Sequence, residues 1–290
     1  MRKFRLNKSI LKKLYTLNCK GRLINLATPR IMGILNRTPD SFYEGGRSNT
    51  TLEILQRAGR MLDAGATFLD VGGYSSRPGA KDISIDEELD RVLPAIEAII
   101  DAYPNALISV DTFRAEVAKK AVEAGAAMVN DISGGTLDTK MLNTIAQLQV
   151  PYVMMHIKGS PQNMQSKTDY KNLTGEVLLH LSQRIRAARE VGINDLICDP
   201  GFGFAKTREQ NFELLRDLNR FNLLDCPLLV GVSRKSMIYK SLDTTAENAL
   251  NGSTFLHGFA LQGGAHILRV HDVSEAVECV QLWTELRKGD

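Results

Sequence analysis

The sequence predicts an α/β protein built as a single (β/α)8 TIM barrel with a short N-terminal extension. Eight short apolar runs alternate with longer segments of helical periodicity along nearly the whole chain. Apolar runs without polar alternation are typical of parallel strands that are buried on both faces. No Pro- or Ser-rich linker divides the 290 residues, and one barrel can occupy a chain of this length.

The strands are predicted from apolar content, and the helices from apolar residues that recur every three or four positions. The predicted strands are Ile31–Leu35, Phe68–Val71, Leu107–Val110, Met128–Asn130, Tyr152–Met155, Leu196–Cys198, Leu228–Val232 and Ile267–Val270. The predicted helices include Leu52–Ala64, Glu87–Ala102, Ala115–Ala124, Thr174–Val191 and Ser274–Leu286.

A short sequence pattern recurs and supports a repeated β/α unit. AGATFLD (Ala64–Asp70), AGAAMVND (Ala124–Asp131), GINDLICD (Gly192–Asp199) and GGAHILRVHD (Gly263–Asp272) each place glycine before an apolar run that ends in an acid. Glycine at the end of a helix adopts the left-handed conformation that turns the chain into the next strand. A doubly wound open sheet is the alternative, and it requires a reversal of strand order that the sequence does not show.

Charge divides the chain into a basic extension, residues 1–20, and a barrel domain, residues 21–290. Residues 1–30 carry nine Lys/Arg and no acid, so the remainder has 27 basic and 33 acidic residues. A duplex-binding protein needs a basic patch in its folded body. We therefore interpret the basic segment as a solvated tail and expect no nucleic-acid partner.

Cysteine spacing and hydropathy predict a cytoplasmic protein. The four cysteines are scattered and form no CxxC pair, which is typical of buried free thiols and also excludes a structural zinc site. No apolar stretch reaches the length of a spanning helix, so no membrane partner is expected. The N-terminus lacks the apolar block of a signal peptide.

Polar residues follow seven of the eight predicted strands. In a (β/α)8 barrel the active site lies at the carboxyl ends of the strands, so these side chains are expected to meet in one cleft. Any one of them could be a helix cap or turn residue, but their recurrence favours a site. The set comprises Asn36, Asp111, Asn130, Asp131, His156, Asp199, Ser233, Arg234, Lys235, Arg269 and His271.

Eight segments, in order, resemble the motifs of the dihydropteroate synthases, which are pterin-binding TIM-barrel enzymes. They are ILNRTPDSFYEGG (Ile34–Gly46), DVGGYSSRPGA (Asp70–Ala80), SVDT (Ser109–Thr112), NDISGG (Asn130–Gly135), MHIKGSPQNMQ (Met155–Gln165), DPGFGFAKTREQN (Asp199–Asn211), GVSRKS (Gly231–Ser236) and RVHD (Arg269–Asp272). The resemblance covers residues from about 20 to 285. It implies condensation of 6-hydroxymethyl-7,8-dihydropterin diphosphate with p-aminobenzoate to give 7,8-dihydropteroate and diphosphate.

A pterin ring presents hydrogen-bond donors on one edge and acceptors on the other. A buried carboxylate suits the donor edge, and Asp199 is the best candidate, while Lys235 can donate to the acceptors. Asp111 and Asn130 complete the rim. The resemblance further implies that Met155, Phe204 and Arg269 contact the ring and that Ser76 belongs to this subsite.

The diphosphate is expected to bind Mg2+ through Asn36 and to contact Arg269 and His271, as the resemblance implies. Sparse protein ligation is usual for Mg2+, which keeps several waters. The reaction expected is dissociative. Arg269 and His271 stabilise the departing diphosphate together with Mg2+, and Asp111 and Asp199 stabilise positive charge on the pterin. Lys235 completes the predicted catalytic set.

Two loops rich in Gly, Ser and Pro, Arg37–Arg47 and Tyr74–Asp82, are predicted to be lids. The resemblance implies that they form the p-aminobenzoate pocket with the start of a helix. The predicted contacts are Phe42, Ser76, Arg77, Pro78, Lys235 and Ser236. Arg77 can meet either the substrate carboxylate or the diphosphate. Arg37, Glu44, Tyr74 and Ser76 depart from the usual family residues, which leaves the lids least well predicted.

Two other functions are compatible with part of the pattern. A corrinoid-dependent methyltransferase barrel could share Asp111, Asn130 and Asp199, but it needs no SSRPG loop. A non-catalytic pterin-binding relative should have broken lid motifs. The resemblance also implies a homodimer whose partners are otherwise only its small-molecule substrates.

Overall fold

The computed structural model describes residues 14–36, 47–76 and 82–288, excluding the side chains of residues 47–50. Two N-terminal strands, β1 (Thr16–Cys19) and β2 (Arg22–Asn25), precede eight parallel strands. The parallel strands are β3 Arg30–Asn36, β4 Phe68–Gly72, β5 Leu107–Asp111, β6 Met128–Asp131, β7 Tyr152–Met155, β8 Leu196–Asp199, β9 Leu229–Val230 and β10 Ile267–Val270. They form one sheet in the order β8-β7-β6-β5-β4-β3-β10-β9, and a parallel bridge between Cys198 and Leu228 joins its two edges and closes the barrel.

Helices follow the strands and cover the outside of the barrel, which confirms the predicted (β/α)8 fold. They are α1 Arg47–Asp63, α2 Ile85–Ala102, α3 Ala115–Glu123, α4 Met141–Leu148, α5 Leu173–Glu190, α6 Arg208–Arg216, α7 Ser236–Tyr239, α8 Leu250–Gln262 and α9 Val273–Leu286. Two 3-10 turns, Met164–Ser166 and Leu218–Leu224, lie between them. Within the described ranges, no helix has the length and apolarity needed to cross a membrane.

The predicted strands agree with the structure to within two residues, and the differences are informative. Asp111, Asp131 and Asp199 are the last residues of their strands rather than the first residues after them. Their backbones still pair with a neighbouring strand, for example Asp111 with Asn130. The seventh barrel strand is shorter than predicted, because β9 pairs only through Leu229 and Val230.

An N-terminal hairpin that the sequence did not predict lies against the end of the barrel formed by the amino ends of the strands. Strand β1 (Thr16–Cys19) pairs antiparallel with β2 (Arg22–Asn25). Their turn uses Lys20 and Gly21, both with positive φ (53° and 84°). Leu17 and Cys19 are buried in a cluster that also contains Phe68.

The predicted boundary between residues 20 and 21 falls in the turn of this hairpin. Structure packed against the barrel therefore begins before residue 20, because burial of Leu17 and Cys19 attaches β1 to the barrel end. The first 13 residues of the predicted basic extension lie outside the described part. All four cysteines are free thiols, and Cys19, Cys198 and Cys226 are buried, as the spacing predicted.

Candidate active site

A buried network of charges lies at the carboxyl ends of three strands. Arg269, on β10, donates from Nε to Asp70 Oδ2 (2.6 Å) on β4 and from Nη2 to Asp111 Oδ2 (2.7 Å) on β5. The side chains of Arg269 and Asp111 are each 18% exposed, and that of Asp70 is fully buried. One guanidinium therefore joins two carboxylates that would otherwise repel each other inside the protein.

Asp70 is a member of this network that the sequence analysis did not single out. Asn130 donates from Nδ2 to the same Asp70 oxygen that Arg269 contacts, at 3.1 Å. The other carboxylate oxygen, Oδ1, is buried and has no hydrogen-bond partner among the described residues. The signal was present in the recurring pattern, in which Asp70 ends its apolar run as Asp131 and Asp199 do.

The pKa values of this network follow from its burial. Desolvation raises the pKa of Asp111 to about 7, opposed by Arg269 and reinforced by Asp70. Burial alone would lower the pKa of Arg269, but the two carboxylates raise it above its ordinary value. The guanidinium stays charged, and Asp111 can change its protonation state near neutral pH.

A second group of predicted residues meets at β7, β8 and the start of α7. Asp199 is buried and accepts a hydrogen bond from Gly201 N (2.7 Å), and burial raises its pKa against the opposing charge of Lys235. Lys235 donates to the carbonyl of Phe202, and its Nζ lies 4.9 Å from the centre of the Phe204 ring. Met155 is the register partner of Asp199. The structure thus brings together a carboxylate, an ammonium group and apolar side chains suited to a flat heterocycle.

Lys235 is a half-buried cation whose charge interacts with that carboxylate. Burial lowers its pKa to about 8, while Asp199 raises it and Arg269 lowers it further. Gly203 approaches the stem closely, since a Cβ at this glycine would lie 3.2 Å from Lys235 Cδ. The ammonium is therefore held at a fixed position and loses its proton more readily than an ordinary lysine.

His271 and Asn36 lie at the rim of the barrel mouth. Ser233 Oγ lies 3.1 Å from His271 Nδ1 and accepts a hydrogen bond from His271 N at 3.1 Å. Asn36 ends β3 beside Gly72, where a Cβ would lie 3.4 Å from Asn36 Oδ1 and 3.3 Å from Asp111 Cβ. The absence of a side chain at Gly72 thus keeps the amide of Asn36 close to Asp111.

A cationic cleft that sequence reasoning missed adjoins His271. It has a volume of about 280 Å³ and lies between α1 and the start of α9. Burial lowers the pKa of one of its arginines, Arg57, and the charge of Arg60 lowers it further. The lining residues are Arg57, Arg60, Met61, Ala64, His271, Val273 and Ser274.

Asn36 supplies an amide oxygen that could bind Mg2+ at the barrel mouth. No group of three or more His, Cys, Asp or Glu side chains that could hold a metal occurs in the ranges that the structure describes. An amide oxygen with Asp111 nearby nevertheless fits a hard cation that takes most ligands from phosphate and water. Asn36 would hold such an ion.

The predicted p-aminobenzoate contacts are only partly described. Phe42, Arg77 and Pro78 lie outside the described residues, as does most of the first predicted lid. Ser76 is half-buried, and Ser236 begins the short helix α7 directly after Lys235. Ser76, Lys235 and Ser236 are therefore the described polar residues of this predicted pocket.

Tyr74, one of the departures from the family pattern, is accommodated inside the protein. Its ring lies 5.0 Å from that of Phe113, edge to face, and its hydroxyl accepts a hydrogen bond from Gln162. The guanidinium of Arg114 lies 5.3 Å from the centre of the same ring. Tyr74 thus packs the base of the second predicted lid rather than presenting a charge there.

Two polar residues of the predicted set, Asp131 and His156, form hydrogen bonds within the loops around the site. Asp131 accepts hydrogen bonds from Ser133 N and Oγ (2.7 Å each), from Gly135 N (2.8 Å) and from Tyr152 OH (2.6 Å), so its carboxylate shapes a turn. His156 Nδ1 lies 3.0 Å from the Nζ of Lys206, a lysine that the sequence analysis did not select.

Comparison with known proteins agrees with this geometry. Residues 32–271 match the family described as "Pterin binding enzyme". The dihydropteroate synthase of Synechocystis sp. is 48% identical over 246 residues, covering 84% of this chain and 85% of the relative.

Solved structures of dihydropteroate synthases have the same fold as this chain. Xanthomonas albilineans dihydropteroate synthase with 4-aminobenzoic acid superposes with a TM-score of 0.89 at 39% identity, covering 96% of this chain and all of the other. The same enzyme in complex with 7,8-dihydropteroate gives a TM-score of 0.86 at 37% identity, covering 95% of this chain and all of the other. The chain belongs to the dihydropteroate synthase family of pterin-binding transferases.

Proposed function

We propose that the protein joins 6-hydroxymethyl-7,8-dihydropterin diphosphate to the amine of p-aminobenzoate, forming 7,8-dihydropteroate and diphosphate. The observation that carries this proposal is that buried Asp199 interacts with the charge of Lys235, whose ammonium lies beside the ring of Phe204. A carboxylate and an ammonium match the donor and acceptor edges of a pterin. The related enzyme from X. albilineans has been solved with both 4-aminobenzoic acid and 7,8-dihydropteroate, which supports the same substrates here.

We propose a dissociative substitution. Aniline nitrogen is a weak nucleophile, so the C–O bond to diphosphate breaks early and positive charge spreads into the pterin. Asp199 and Asp111 stabilise that charge from two sides of the ring. The amine of p-aminobenzoate then attacks the methylene carbon and loses a proton, and no nucleophile of the protein is required.

Arg269 is proposed to stabilise the departing diphosphate with His271. Its guanidinium carries five N–H groups, and the bonds to Asp70 and Asp111 use two of them. The remaining groups are available to phosphate oxygens, while the carboxylates hold the guanidinium plane in place. Mg2+ held by Asn36, when bound, would neutralise part of the negative charge on the diphosphate.

We further propose that the protein is a cytoplasmic homodimer. Its helix α8 exposes two neighbouring aromatic rings, Phe255 (65% exposed) and Phe259 (55% exposed), with centres 5.0 Å apart. Exposed aromatic clusters of this kind mark interaction surfaces more often than isolated apolar residues do. A Phe255→Glu/Phe259→Glu variant should sediment as a monomer, and unchanged sedimentation would contradict an interface at this surface.

The proposed reaction is tested by mixing the protein with the pterin diphosphate, p-aminobenzoate and Mg2+ and measuring dihydropteroate by mass. We expect product from the wild type and none from an Asp199→Asn variant. Pterin binding without product from the wild type would favour a non-catalytic pterin-binding protein. Methyl transfer from methyltetrahydrofolate to a corrinoid, without dihydropteroate, would favour the methyltransferase alternative.

A further inference from the structure

Lys206 is a buried lysine that the proposed chemistry does not use. It is only 5% exposed, and its Nζ lies 3.0 Å from His156 Nδ1, 2.9 Å from the carbonyl oxygen of Gly201 and 3.0 Å from that of Phe204. An ammonium group has three N–H donors and no acceptor. The three neighbours therefore satisfy its full donor capacity, and they do so only when the lysine is protonated.

These contacts join the ends of two neighbouring strands. His156 directly follows Met155, the last residue of β7, and its backbone N donates to the carbonyl oxygen of Asp199 on β8 at 2.9 Å. A Cβ added at Gly201 would lie 2.0 Å from the carbonyl oxygen of His156, so the two chains touch. Lys206 bonds to both sides of this contact.

The segment 200–206 has irregular backbone and is held mainly by side chains. Gly201, Gly203 and Ala205 have positive φ (75°, 82° and 50°). Buried Asn211 accepts from Gly203 N at 2.6 Å. Lys235 donates to the carbonyl of Phe202. Without Lys206, the carbonyl groups of Gly201 and Phe204 would lose their bond to a buried donor.

We propose that Lys206 is a positioning residue for the pterin subsite. Its ammonium ties segment 200–206 to His156, so that Asp199 and Phe204, at the two ends of the tied backbone, keep the orientation in which they face the ring. This proposal rests on the proposed function, because it assumes that a pterin binds at Asp199 and Phe204. Lys206 itself acts through these residues and does not touch the substrate.

The charges around Lys206 support this role. Burial lowers its pKa to about 7, Asp199 opposes this shift, and Lys235 adds to it. Burial, Lys206 and His180 lower the pKa of His156 to about 2, so the imidazole is neutral and its Nδ1 can accept. Other titratable groups near His156 are His180 on α5, with a pKa that burial lowers, and Tyr170, whose pKa burial raises to about 12.

The burial of Lys206 also makes opening of the segment depend on pH. Its pKa in the closed protein lies below the usual value of 10.5, so a chain in which Lys206 is exposed to water, by global unfolding or by opening of this segment alone, holds more protons between pH 7 and 10.5. The free energy of both kinds of opening should therefore increase with pH in this range. A substitution that removes the titrating amine should remove this dependence.

The test compares Lys206→Met with Lys167→Met, which removes an exposed lysine from the same end of the barrel. We expect Lys206→Met to raise the Kd of 6-hydroxymethylpterin at least tenfold by calorimetry. It should also speed hydrogen exchange of amides in residues 200–206 but not in β3–β6. The control should match the wild type in both measurements. Unchanged Kd and unchanged exchange in Lys206→Met would overturn the proposal, as would faster exchange spread evenly over the barrel.

Two further measurements keep the proposal testable if Lys206→Met does not fold. Lys206→Gln keeps two donors and should show an intermediate effect. In the wild type, opening of residues 200–206 lets Lys206 regain a proton, so the protection of these amides, corrected for the intrinsic rate, should increase as the pH rises through about 7, and Lys206→Gln should lack this dependence. A wild type without such an increase would contradict the proposed tie between Lys206 and the segment. Failure of the wild type to bind the pterin would instead contradict the proposed function, whereas the exchange measurement needs no ligand.

Discussion

At the residue scale, Asp199 gives the sharpest prediction. Asp199→Asn removes the charge that the donor edge of the pterin requires, at a cost of about 1.5–3 kcal/mol for a charge-assisted hydrogen bond. Burial already raises the pKa of this carboxyl, so its neutral replacement should leave the melting temperature unchanged or higher. Calorimetry with 6-hydroxymethylpterin and thermal unfolding measure the two effects. Asp169→Asn, at an exposed position, is the control, and binding within twofold of the wild type would remove Asp199 from the site.

Arg269 gives a prediction with a defined pH dependence. Arg269→Met leaves Asp70 and Asp111 without their cation, which should lower the free energy of unfolding by about 3–5 kcal/mol at pH 8. The pKa of Asp111 is about 7 even with Arg269 present, and it should rise further in the variant. A carboxyl whose pKa is higher in the folded than in the unfolded protein lowers the free energy of unfolding as the pH rises from the unfolded pKa to the folded pKa. The loss of stability in Arg269→Met should therefore be smaller at pH 5 than at pH 8.

Denaturant titrations at the two pH values measure the deficit. Arg220→Met is the matched control, because it breaks a surface pair with Asp217 and should cost less than about 1 kcal/mol. A deficit in Arg269→Met that is equal at both pH values would show that the carboxylates do not titrate in this range.

Single residues differed in how far the sequence could predict them. Asp199, Lys235, Arg269 and His271 were found because each lies at or shortly after the end of an apolar run within a recognisable motif, and strand ends converge in a barrel. Lys206 was missed because it lies beyond the strand in an irregular segment, where no periodicity indicates the direction of a side chain. Its partner His156 had been selected only as a strand-end residue.

At the scale of elements, the hairpin β1–β2 should contribute to stability without affecting catalysis. Leu17 is 1% exposed against the end of the barrel away from the site, so Leu17→Ala should cost about 2–5 kcal/mol. Leu23 lies on the same hairpin and is 71% exposed, so Leu23→Ala should change stability by less than about 0.5 kcal/mol. KM and kcat should be unchanged in both variants. A changed KM in Leu17→Ala would mean that this end communicates with the site.

The barrel strands were predictable because they are continuous apolar runs that alternate with periodic helices, whereas the strands of the hairpin are not continuous apolar runs. Its strands have four residues each and carry exposed polar side chains. Its turn, Lys20–Gly21, lacks the Asn-Gly or Asp-Gly pair that usually indicates a hairpin. The short length of β9 was also not predictable, since apolar content alone does not show where backbone pairing stops.

At the scale of the whole molecule, the two substrate sites should be coupled. The resemblance to the dihydropteroate synthases predicts that Phe42, Ser76 and Pro78 contact p-aminobenzoate. Asn36, a predicted diphosphate contact, directly precedes the first predicted lid in the sequence. Ordering such loops on binding costs conformational entropy. The ligand that binds first bears this cost, so the second ligand should bind more tightly. We expect bound diphosphate, pterin and Mg2+ to tighten p-aminobenzoate binding by about 1–3 kcal/mol. Calorimetric titration with and without them measures this, and equal affinities would indicate a preformed pocket.

The bridge from Arg269 to Asp70 and Asp111 also has a consequence for synthesis of the chain. Its partners are separated by 199 and 158 residues in sequence, and the arginine is the last of the three to leave the ribosome. Until then the two acids belong to strands with no cation between them. A nascent chain that ends before β10 therefore cannot complete the cleft, and its carboxylates would favour exposure to water. Translation through β10 must therefore precede recognition of the first substrate molecule.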